Sequence, residues 1–355
     1  MRVVSGIQPT GNLHLGNYLG AIRNWVAMQD DLEEANRAQV AEGGSADREC
    51  LYFLADLHAI SMPHDPAELR AGTLEMAAAL VACGIDPDRS ILFNQAQVPQ
   101  HAELQWLLSG TARMGWLNRM TQWKDKAGKN REGQSVALFS YPVLQAADVL
   151  LYQATHVPVG DDQKQHLELA RDIAQKFNND FAPRNEDGDE APVFTLPDAI
   201  VPPAAARIMS LRDGSRKMSK SDDSDMSRIN LSDDADTIMK KVKKAKTDPE
   251  PLPSETDGLA DRPEALNLVT IYAALAQTSA EAVLADFGGE GFGKFKPALG
   301  DLMVETLGPI AARFTELKAD TDTLDAILAK GAARARERAV PTLARAYEAL
   351  GLVRG

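Results

Sequence analysis

A glycine- and proline-rich segment near the N-terminus constrains the fold of this chain most strongly. Residues 5–17 (SGIQPTGNLHLGN), here called the first signature, follow a short apolar strand at 2–4 and precede a helical pattern. Three glycines and a proline prevent a regular element, so the chain must turn and then enter a helix. A helix N-terminus has unpaired N–H groups and a partial positive charge, which suit a phosphate. Taken alone, the segment fits an ordinary strand-to-helix turn equally well.

Strands and helices alternate through the first half of the chain. Residues 19–28 have apolar side chains at helical spacing, and the continuous apolar run at 51–55 is typical of a buried parallel strand. A helix is predicted at 66–83, and further strands at 90–93 and 155–159. This order predicts an α/β fold, a Rossmann-like domain with a parallel sheet. Such sheets bind ligands at the carboxyl ends of their strands, where the first signature lies.

Composition excludes several classes of protein. The 355 residues carry a net charge of −13, from 51 acidic and 38 basic side chains, which argues against a general polyanion binder. A local basic face remains compatible with that charge. The cysteines Cys50 and Cys83 fit neither a disulfide framework nor a zinc pattern, so buried reduced thiols are expected. No signal peptide and no apolar run of the ~20 residues that span a membrane is present. We therefore expect a soluble cytoplasmic protein without a membrane partner.

The C-terminal third is predicted to be entirely helical. Residues 232–236 form a capping pattern for a helix that ends in five lysines, Lys240, Lys241, Lys243, Lys244 and Lys246. Acidic residues first and lysines last complement a helix dipole, but the lysines could equally bind phosphates. The predicted domains are a Rossmann-like catalytic domain at 1–211, a mobile phosphate-binding loop at 212–225, a helical domain at 226–309, and C-terminal helices at 310–355. These last helices could pack back on the first domain.

Residues 101–123 form a predicted helix that contains three of the four tryptophans. Core packing is the commoner explanation for so large an apolar surface, and a contact between two copies of the chain is the more specific one. A homodimer is therefore among the expectations.

A second short segment supplies the chemistry that the first signature lacks. Residues 216–222 (RKMSKSD), here called the second signature, follow Gly214 in a polar, turn-rich stretch. Lys217 and Lys220 flank Ser219, so the loop can close over a triphosphate and neutralise charge that develops when the α-phosphate is attacked. Alone, it could be an arbitrary basic loop. The combination of both signatures, about 200 residues apart around a sheet, is far more specific.

This combination resembles the class I aminoacyl-tRNA synthetases and, closely, the bacterial tryptophanyl-tRNA synthetase family. The resemblance covers nearly the full length and includes residues 5–11, 141–148, 157–166, 206–211 and 293–296. It implies a tryptophan–tRNA ligase that uses ATP to convert L-tryptophan to tryptophanyl-adenylate and diphosphate. The activated amino acid is then transferred to the 3′ end of tRNA(Trp). The helical domain at 226–309 would bind the tRNA anticodon.

The resemblance also implies which residues contact ATP. The expected ATP-binding residues are Gln8, Pro9, Thr10, Gly16, Asn17, Gly160, Asp161, Asp162, Ile208, Lys217, Met218, Ser219, Lys220 and Ser221. Among them, the expected catalytic residues are Gln8, Asn17, Lys217, Ser219 and Lys220. Mg²⁺ is expected to arrive with ATP and not to have a dedicated cluster of protein ligands, because it commonly keeps water and phosphate ligands.

Tryptophan recognition is assigned by the same resemblance to Asp148, with Tyr141, His58 and Gln163 as further members of the pocket. Asp148 would accept a hydrogen bond from the indole N–H, and a phenylalanine ligand would leave that buried acceptor unpaired at considerable cost. The alternative is a helix carboxylate among apolar neighbours, which would need another partner. Gln145 replaces a methionine that is common beside the indole in this family.

Three other functions remain in competition with this interpretation. A tyrosyl-tRNA synthetase shares the architecture and differs in its amino acid. A small-molecule nucleotidyltransferase shares the phosphate-binding turn but would not need the helices after Ser232. A non-catalytic nucleic-acid-binding paralogue is disfavoured because both signatures are intact.

Overall fold

A five-stranded parallel sheet forms the centre of the N-terminal half. The structure is a computed structural model, and it describes residues 1–9, 13–128, 132–160, 163–183, 191–200 and 207–353. The strands lie in the order β3-β2-β1-β4-β5, and every described pairing is parallel. Their bounds are β1 Arg2–Ile7, β2 Glu49–Leu54, β3 Ile91–Asn94, β4 His156–Pro158 and β5 Asp198–Ile200. The predicted α/β fold with a Rossmann-like parallel sheet is confirmed.

The two faces of the sheet contribute to two separate hydrophobic cores. Successive strand residues point to opposite faces, so Val3 and Tyr52 belong to one core and Val4 and Phe53 to the other. All four are buried. Because both faces are covered, the central strands consist of near-continuous apolar residues, which explains why they were recognisable in the sequence.

Helices connect the strands and cover the sheet. The first signature leads into α1 Leu15–Asn17, which continues through a π turn at Tyr18–Ile22 into α2 Arg23–Ala41. The others in this half are α3 Asp56–Ala59, α4 Pro66–Ala82, α5 Gln100–Ser109, α6 Met114–Leu117, α7 Thr121–Ala127, α8 Val136–Leu150 and α9 Lys164–Phe181.

The prediction of a single helix at 101–123 was wrong, because this stretch is divided among three helices, α5, α6 and α7. Its tryptophans have different environments, because Trp123 is buried whereas Trp106 is 76% exposed; Met114, in α6, is 66% exposed. Core packing therefore accounts for Trp123, whereas Trp106 is a large apolar side chain on the surface.

The C-terminal part is helical, as predicted. It contains α10 Ala235–Lys244, α11 Pro263–Ala276, α12 Ala280–Phe287, α13 Phe292–Ala319 and α14 Thr321–Ala349. The proposed boundary between residues 309 and 310 falls inside α13, because the helix continues through Pro309 without a break. Within the described ranges, no single helix is long and apolar enough to cross a membrane; α11 and α12 pass that test of length and composition only as a pair bent by 107°.

The last helix, α14, packs against the edge strand β3. The Arg334 guanidinium donates to the carbonyl oxygens of Pro87, at 2.9 Å, and Ser90, at 3.0 Å. Gly331 allows the closest approach, since a Cβ atom there would lie 1.7 Å from the Leu92 carbonyl oxygen. The helix thereby covers an edge that would otherwise expose unpaired backbone groups.

We predict that Gly331→Ala lowers the free energy of unfolding by about 3 kcal/mol, because the new methyl group must push α14 away from β3. The control is Gly293→Ala in the first turn of α13, where an added Cβ meets nothing within 4 Å. That change should be neutral or raise stability by up to about 1 kcal/mol. Chemical denaturation of both variants measures the difference, and equal midpoints would contradict the close packing of α14.

Candidate active site

A cavity of about 450 Å³ opens at the carboxyl ends of β1, β2 and β4. Its position is the one expected for a ligand in a doubly wound sheet, since the order of the strands reverses between β1 and β4. Its volume lies within the range of roughly 300–1,000 Å³ that is usual for small-molecule sites. The structure brings five sequence-predicted residues together in its wall: Gln8, His58, Tyr141, Asp148 and Gln163.

The first signature ends in a hydrogen-bonded helix cap. His14 Nδ1 accepts from the Gly16 N–H at 3.1 Å, while the His14 N–H donates to Asn17 Oδ1 at 3.1 Å. This reciprocal capping box fixes where the helix begins. The side-chain nitrogen Nδ2 of Asn17 makes no hydrogen bond to any described residue, so it can donate to a ligand. Thr10, also predicted to contact ATP, lies outside the described residues.

Two glycines permit close packing around this cap. A Cβ atom on Gly16 would lie 3.0 Å from the His14 ring, and one on Gly72 of α4 would lie 2.8 Å from the Pro9 carbonyl oxygen. Pro9 is buried in this contact, whereas Gln8 beside it is exposed at the cavity. The backbone of the first signature is therefore held from both sides.

The second signature lies directly against the first. The Met218 N–H donates to the Ile208 carbonyl at 3.0 Å, and the Met218 side chain is buried, with its Cβ 3.7 Å from where a Gly16 Cβ would be. Ile208 is buried as well. Beyond the loop, the Leu15 N–H donates to the Ile229 carbonyl at 2.8 Å. The two segments that the sequence placed about 200 residues apart therefore form one site.

Three cationic side chains lie close enough to His14 to affect its pKa. Its burial, followed by the charges of Arg228, Lys217 and Lys220, lowers the pKa of His14 from 6.5 to about 4. The ring is accordingly neutral at physiological pH, and both signature lysines lie near enough to act on it. Partial burial also lowers the pKa of Lys220. An anionic ligand placed here would meet two cationic side chains and a helix N-terminus.

The remaining predicted ATP residues are distributed around the same edge. Ser219 Oγ and Ser221 Oγ are 2.8 Å apart in the second signature. Gly160 follows β4, and its carbonyl accepts from the Gln163 N–H at 3.0 Å. The predicted Asp161 and Asp162 lie outside the described residues.

No group of three or more histidine, cysteine, aspartate or glutamate side chains among the described residues could hold a metal ion. The side chains there do not form a cage for Mg²⁺. Magnesium that is bound mainly by phosphate and water needs no such cage.

Asp148 of α8 is buried and hydrogen-bonded through both carboxylate oxygens. Its Oδ2 lies 2.6 Å from His58 Nε2, and its Oδ1 lies 2.6 Å from His101 Nδ1 and also accepts from Gln95 Nε2. Burial alone would raise the pKa of this carboxyl group, but the His58 charge and the hydrogen bonds from the two histidines outweigh it and lower the pKa. An unpaired carboxylate in the core would be costly, but the Asp148 carboxylate has three hydrogen-bond partners.

The sequence reasoning missed His101 and Gln95. Gln95 directly follows β3, and His101 lies in the first turn of α5, so both follow the carboxyl end of the edge strand β3. Polar residues immediately after a buried strand were the available signal. Their partner Asp148, however, is 53 and 47 positions away along the chain.

Tyr141 and Gln145 complete the cavity wall. The Tyr141 hydroxyl donates to Gln122 Oε1 at 3.1 Å, and its ring lies edge-on to the His58 ring, with centroids 6.2 Å apart. Gln145 Nε2 donates to Gln163 Oε1 at 3.2 Å. Gln145 is therefore hydrogen-bonded to a predicted member of the pocket. It occupies the position where the family that the sequence resembles commonly has methionine.

Comparison with known proteins places this site in a family. The family model for class I tRNA synthetases (W and Y) matches residues 1–308. The tryptophan–tRNA ligase of Rhizobium meliloti is 55% identical over 362 residues, which cover 99% of this chain and 98% of the relative. That of Caulobacter vibrioides is also 55% identical, over 99% of this chain and 95% of the relative. The tryptophanyl-tRNA synthetase of Campylobacter jejuni, solved with ADP and tryptophan, superposes with a TM-score of 0.78 at 34% identity, covering 99% of this chain and all of that one.

We predict a pH-dependent contribution of His14 to stability. Folding keeps this ring neutral at pH values where the unfolded chain binds a proton, so its contribution is complete above about pH 6.5 and is lost as the pH falls towards about 4. The expected loss between pH 7.5 and 5 is about 2 kcal/mol. His14→Asn keeps a capping oxygen but has no titratable ring, so unfolding measured at both pH values should change less in the variant. The same pH dependence in both proteins would refute this assignment.

Proposed function

We propose, from the premise that this chain belongs to the class I tRNA synthetase family of tryptophan and tyrosine enzymes, that it joins L-tryptophan to tRNA(Trp) with the use of ATP. The observation that carries the proposal is the contact between the two signatures beside a cavity with Asp148 in its wall. Relatives of 47–55% identity over nearly the whole chain carry the name tryptophan–tRNA ligase, which favours tryptophan over tyrosine.

The reaction has two steps. The tryptophan carboxylate attacks the α-phosphorus of ATP, a P–O bond forms, and diphosphate leaves as tryptophanyl-adenylate is produced. A ribose hydroxyl at the 3′ end of the tRNA then attacks the acyl carbon, and AMP leaves. Neither step requires a covalent bond to the protein, so positioning and charge stabilisation supply the catalysis.

We assign the phosphates to the space between the signatures. Lys217 and Lys220 would neutralise the charge that builds up on the β- and γ-phosphates, with Ser219 beside them. The Asn17 amide would donate to a phosphate oxygen at the helix start, and Gln8 would reach the ligand from the end of β1. Mg²⁺ would enter as part of the nucleotide substrate, held by its phosphates and by water.

We assign the cavity to the tryptophan side chain, with Asp148 as acceptor for the indole N–H. Tyr141, His58 and Gln163 would enclose the ring. This role fits a carboxylate that is buried and charged, because a ligand without a donor would leave it incompletely paired.

We further propose that the helices beyond the second signature bind tRNA, with residues 226–309 at the anticodon and 310–355 fastened to the catalytic domain. Contacts of α14 with β3 support the second part. The lysine cluster divides into two groups. Lys241 is buried between Asp225, at 2.7 Å, and Asp233, at 2.6 Å, and Lys246 pairs with Glu264 at 2.6 Å. The exposed members, Lys240, Lys243 and Lys244, are suited to tRNA phosphates.

A homodimer and a cytoplasmic location complete the proposal. The exposed Trp106 and Met114 support a contact between two copies, since large apolar side chains on a surface often mark an interface. A cytoplasmic location follows from the substrate, because tRNA charging serves translation.

Amino-acid-dependent ATP–pyrophosphate exchange with all twenty amino acids tests the assigned reaction. Tryptophan should support exchange and tyrosine should not, and charging of tRNA(Trp) should require the same amino acid. Exchange driven by tyrosine alone would favour the tyrosyl enzyme. Exchange without transfer to tRNA would favour a small-molecule nucleotidyltransferase, and the absence of any exchange would favour a non-catalytic protein.

We predict that Lys220→Ala slows adenylate formation at least about 100-fold in single-turnover measurements, because one cation that stabilises the transferring phosphates is lost. The unfolding midpoint should hardly change, since this side chain forms no hydrogen bond to a described residue. Lys240→Ala, which removes an exposed lysine of α10, is the matched control and should leave adenylate formation unchanged. An unaltered rate in the Lys220 variant would remove that lysine from the mechanism.

A further inference from the structure

Behind Asp148 lies a buried hydrogen-bond chain that the proposed reaction does not use. His101 Nδ1 is 2.6 Å from Asp148 Oδ1, and His101 Nε2 is 2.6 Å from the Tyr152 hydroxyl. His101, Tyr152 and Gln95 have no exposed surface, and none of them lines the cavity. The chain therefore approaches Asp148 from the side opposite to any ligand.

Asp148 and Tyr152 hold the two ring nitrogens of His101. An ionised carboxylate only accepts hydrogen bonds, so His101 Nδ1 carries the hydrogen that is donated to Asp148 Oδ1. Burial and the Asp148 charge raise the pKa of Tyr152 well above its ordinary value, so its hydroxyl stays protonated and shares a hydrogen bond with His101 Nε2. The Tyr152 hydroxyl thereby fixes the orientation of the ring that donates to Asp148.

The two carboxylate oxygens of Asp148 then differ. Each oxygen offers about two lone-pair directions. Oδ1 is saturated by His101 and Gln95, which lie away from the cavity. Among the described residues, Oδ2 has His58 as its only partner, and His58 lines the cavity. One acceptor direction therefore remains, and it is on the oxygen that faces the ligand side.

We propose that His101, held by Tyr152, is a positioning residue that sets amino-acid selectivity by fixing the rotation of the Asp148 carboxylate towards the indole N–H. His101 does not touch the substrate; it acts through Asp148. The inference rests on the proposed function, because it presumes that tryptophan occupies the cavity with its indole N–H at Asp148.

The test compares tryptophan with β-(3-benzothienyl)alanine, in which sulfur replaces the indole N–H at nearly the same shape. Wild-type protein should prefer tryptophan in ATP–pyrophosphate exchange, measured as the ratio of the two kcat/KM values. His101→Leu should reduce this ratio about tenfold or more, the value of a hydrogen bond to a charged group. The reduction should come from a raised KM for tryptophan, while the KM for ATP stays unchanged.

Two further variants separate positioning from a general loss of structure. Tyr152→Phe removes one oxygen atom and should reduce the ratio in the same direction, by a smaller factor, even if His101→Leu folds poorly. Phe93→Leu is the packing control, because the Phe93 ring lies 6.0 Å from the His101 ring and 5.8 Å from the Tyr152 ring, centroid to centroid, without a hydrogen bond to either. It should lower stability and keep the ratio.

The outcomes distinguish this inference from its premise. Wild-type protein without tryptophan-dependent exchange would refute the proposed function and the inference with it. Wild-type protein that uses both amino acids equally would refute the role of Asp148 as indole acceptor. If wild-type protein discriminates and both the His101 and Tyr152 variants keep its ratio, the inference about His101 alone is wrong.

Discussion

The antiparallel pairing of residues 13–15 with 229–231 is the contact on which the active site depends. His14 and Asn230 form the bridge, and the Leu231 N–H donates to the Leu13 carbonyl at 2.9 Å. This pairing connects the start of the helix at the first signature with the residues that follow the second signature. A glycine-rich turn alone would form only one side of a phosphate site. The pairing brings Lys217 and Lys220 to the other side, near His14.

The same pairing connects the site to the helical part of the chain. Asn230 Nδ2 donates to Asp225 Oδ1 at 2.9 Å, and Asp225 in turn pairs with the buried Lys241 of α10. A buried ion pair contributes little net stability, because desolvation offsets the attraction, but removing one partner leaves an unpaired buried charge. The ion pair between Lys241 and Asp225 instead fixes the position of α10 relative to the second signature. A tRNA bound by the helices as proposed would therefore contact an element attached to the proposed ATP site.

The sequence was sufficient for the fold class, the family and the two signatures, and insufficient for contacts that depend on tertiary structure. Strands β2 and β3 were recognisable because their residues are almost all buried and mostly apolar, and β1 and β4 were recognisable from the shorter apolar runs around Val3 and Val157. β5 was missed because its three residues, Asp198–Ile200, are exposed or half-buried and give no apolar signal. His101 could not be connected with Asp148, because no local pattern links a residue after β3 to one in α8. The division proposed between residues 309 and 310 has no counterpart in the secondary structure, because α13 continues through Pro309.

The residues proposed for recognition and those proposed for catalysis differ in burial. The partners of Asp148 are buried and hydrogen-bonded, so the acceptor in the proposed pocket is held in place by the core. Lys217 and Lys220 are exposed and form no hydrogen bond to the described residues, so they remain available to follow the phosphates as charge is redistributed. A selective site requires fixed acceptors, because a mobile carboxylate would adapt to a wrong ligand. A site for phosphoryl transfer requires cations that can move with the leaving group. Under the proposed assignments, these opposite requirements account for an aspartate in the core and lysines on a surface loop.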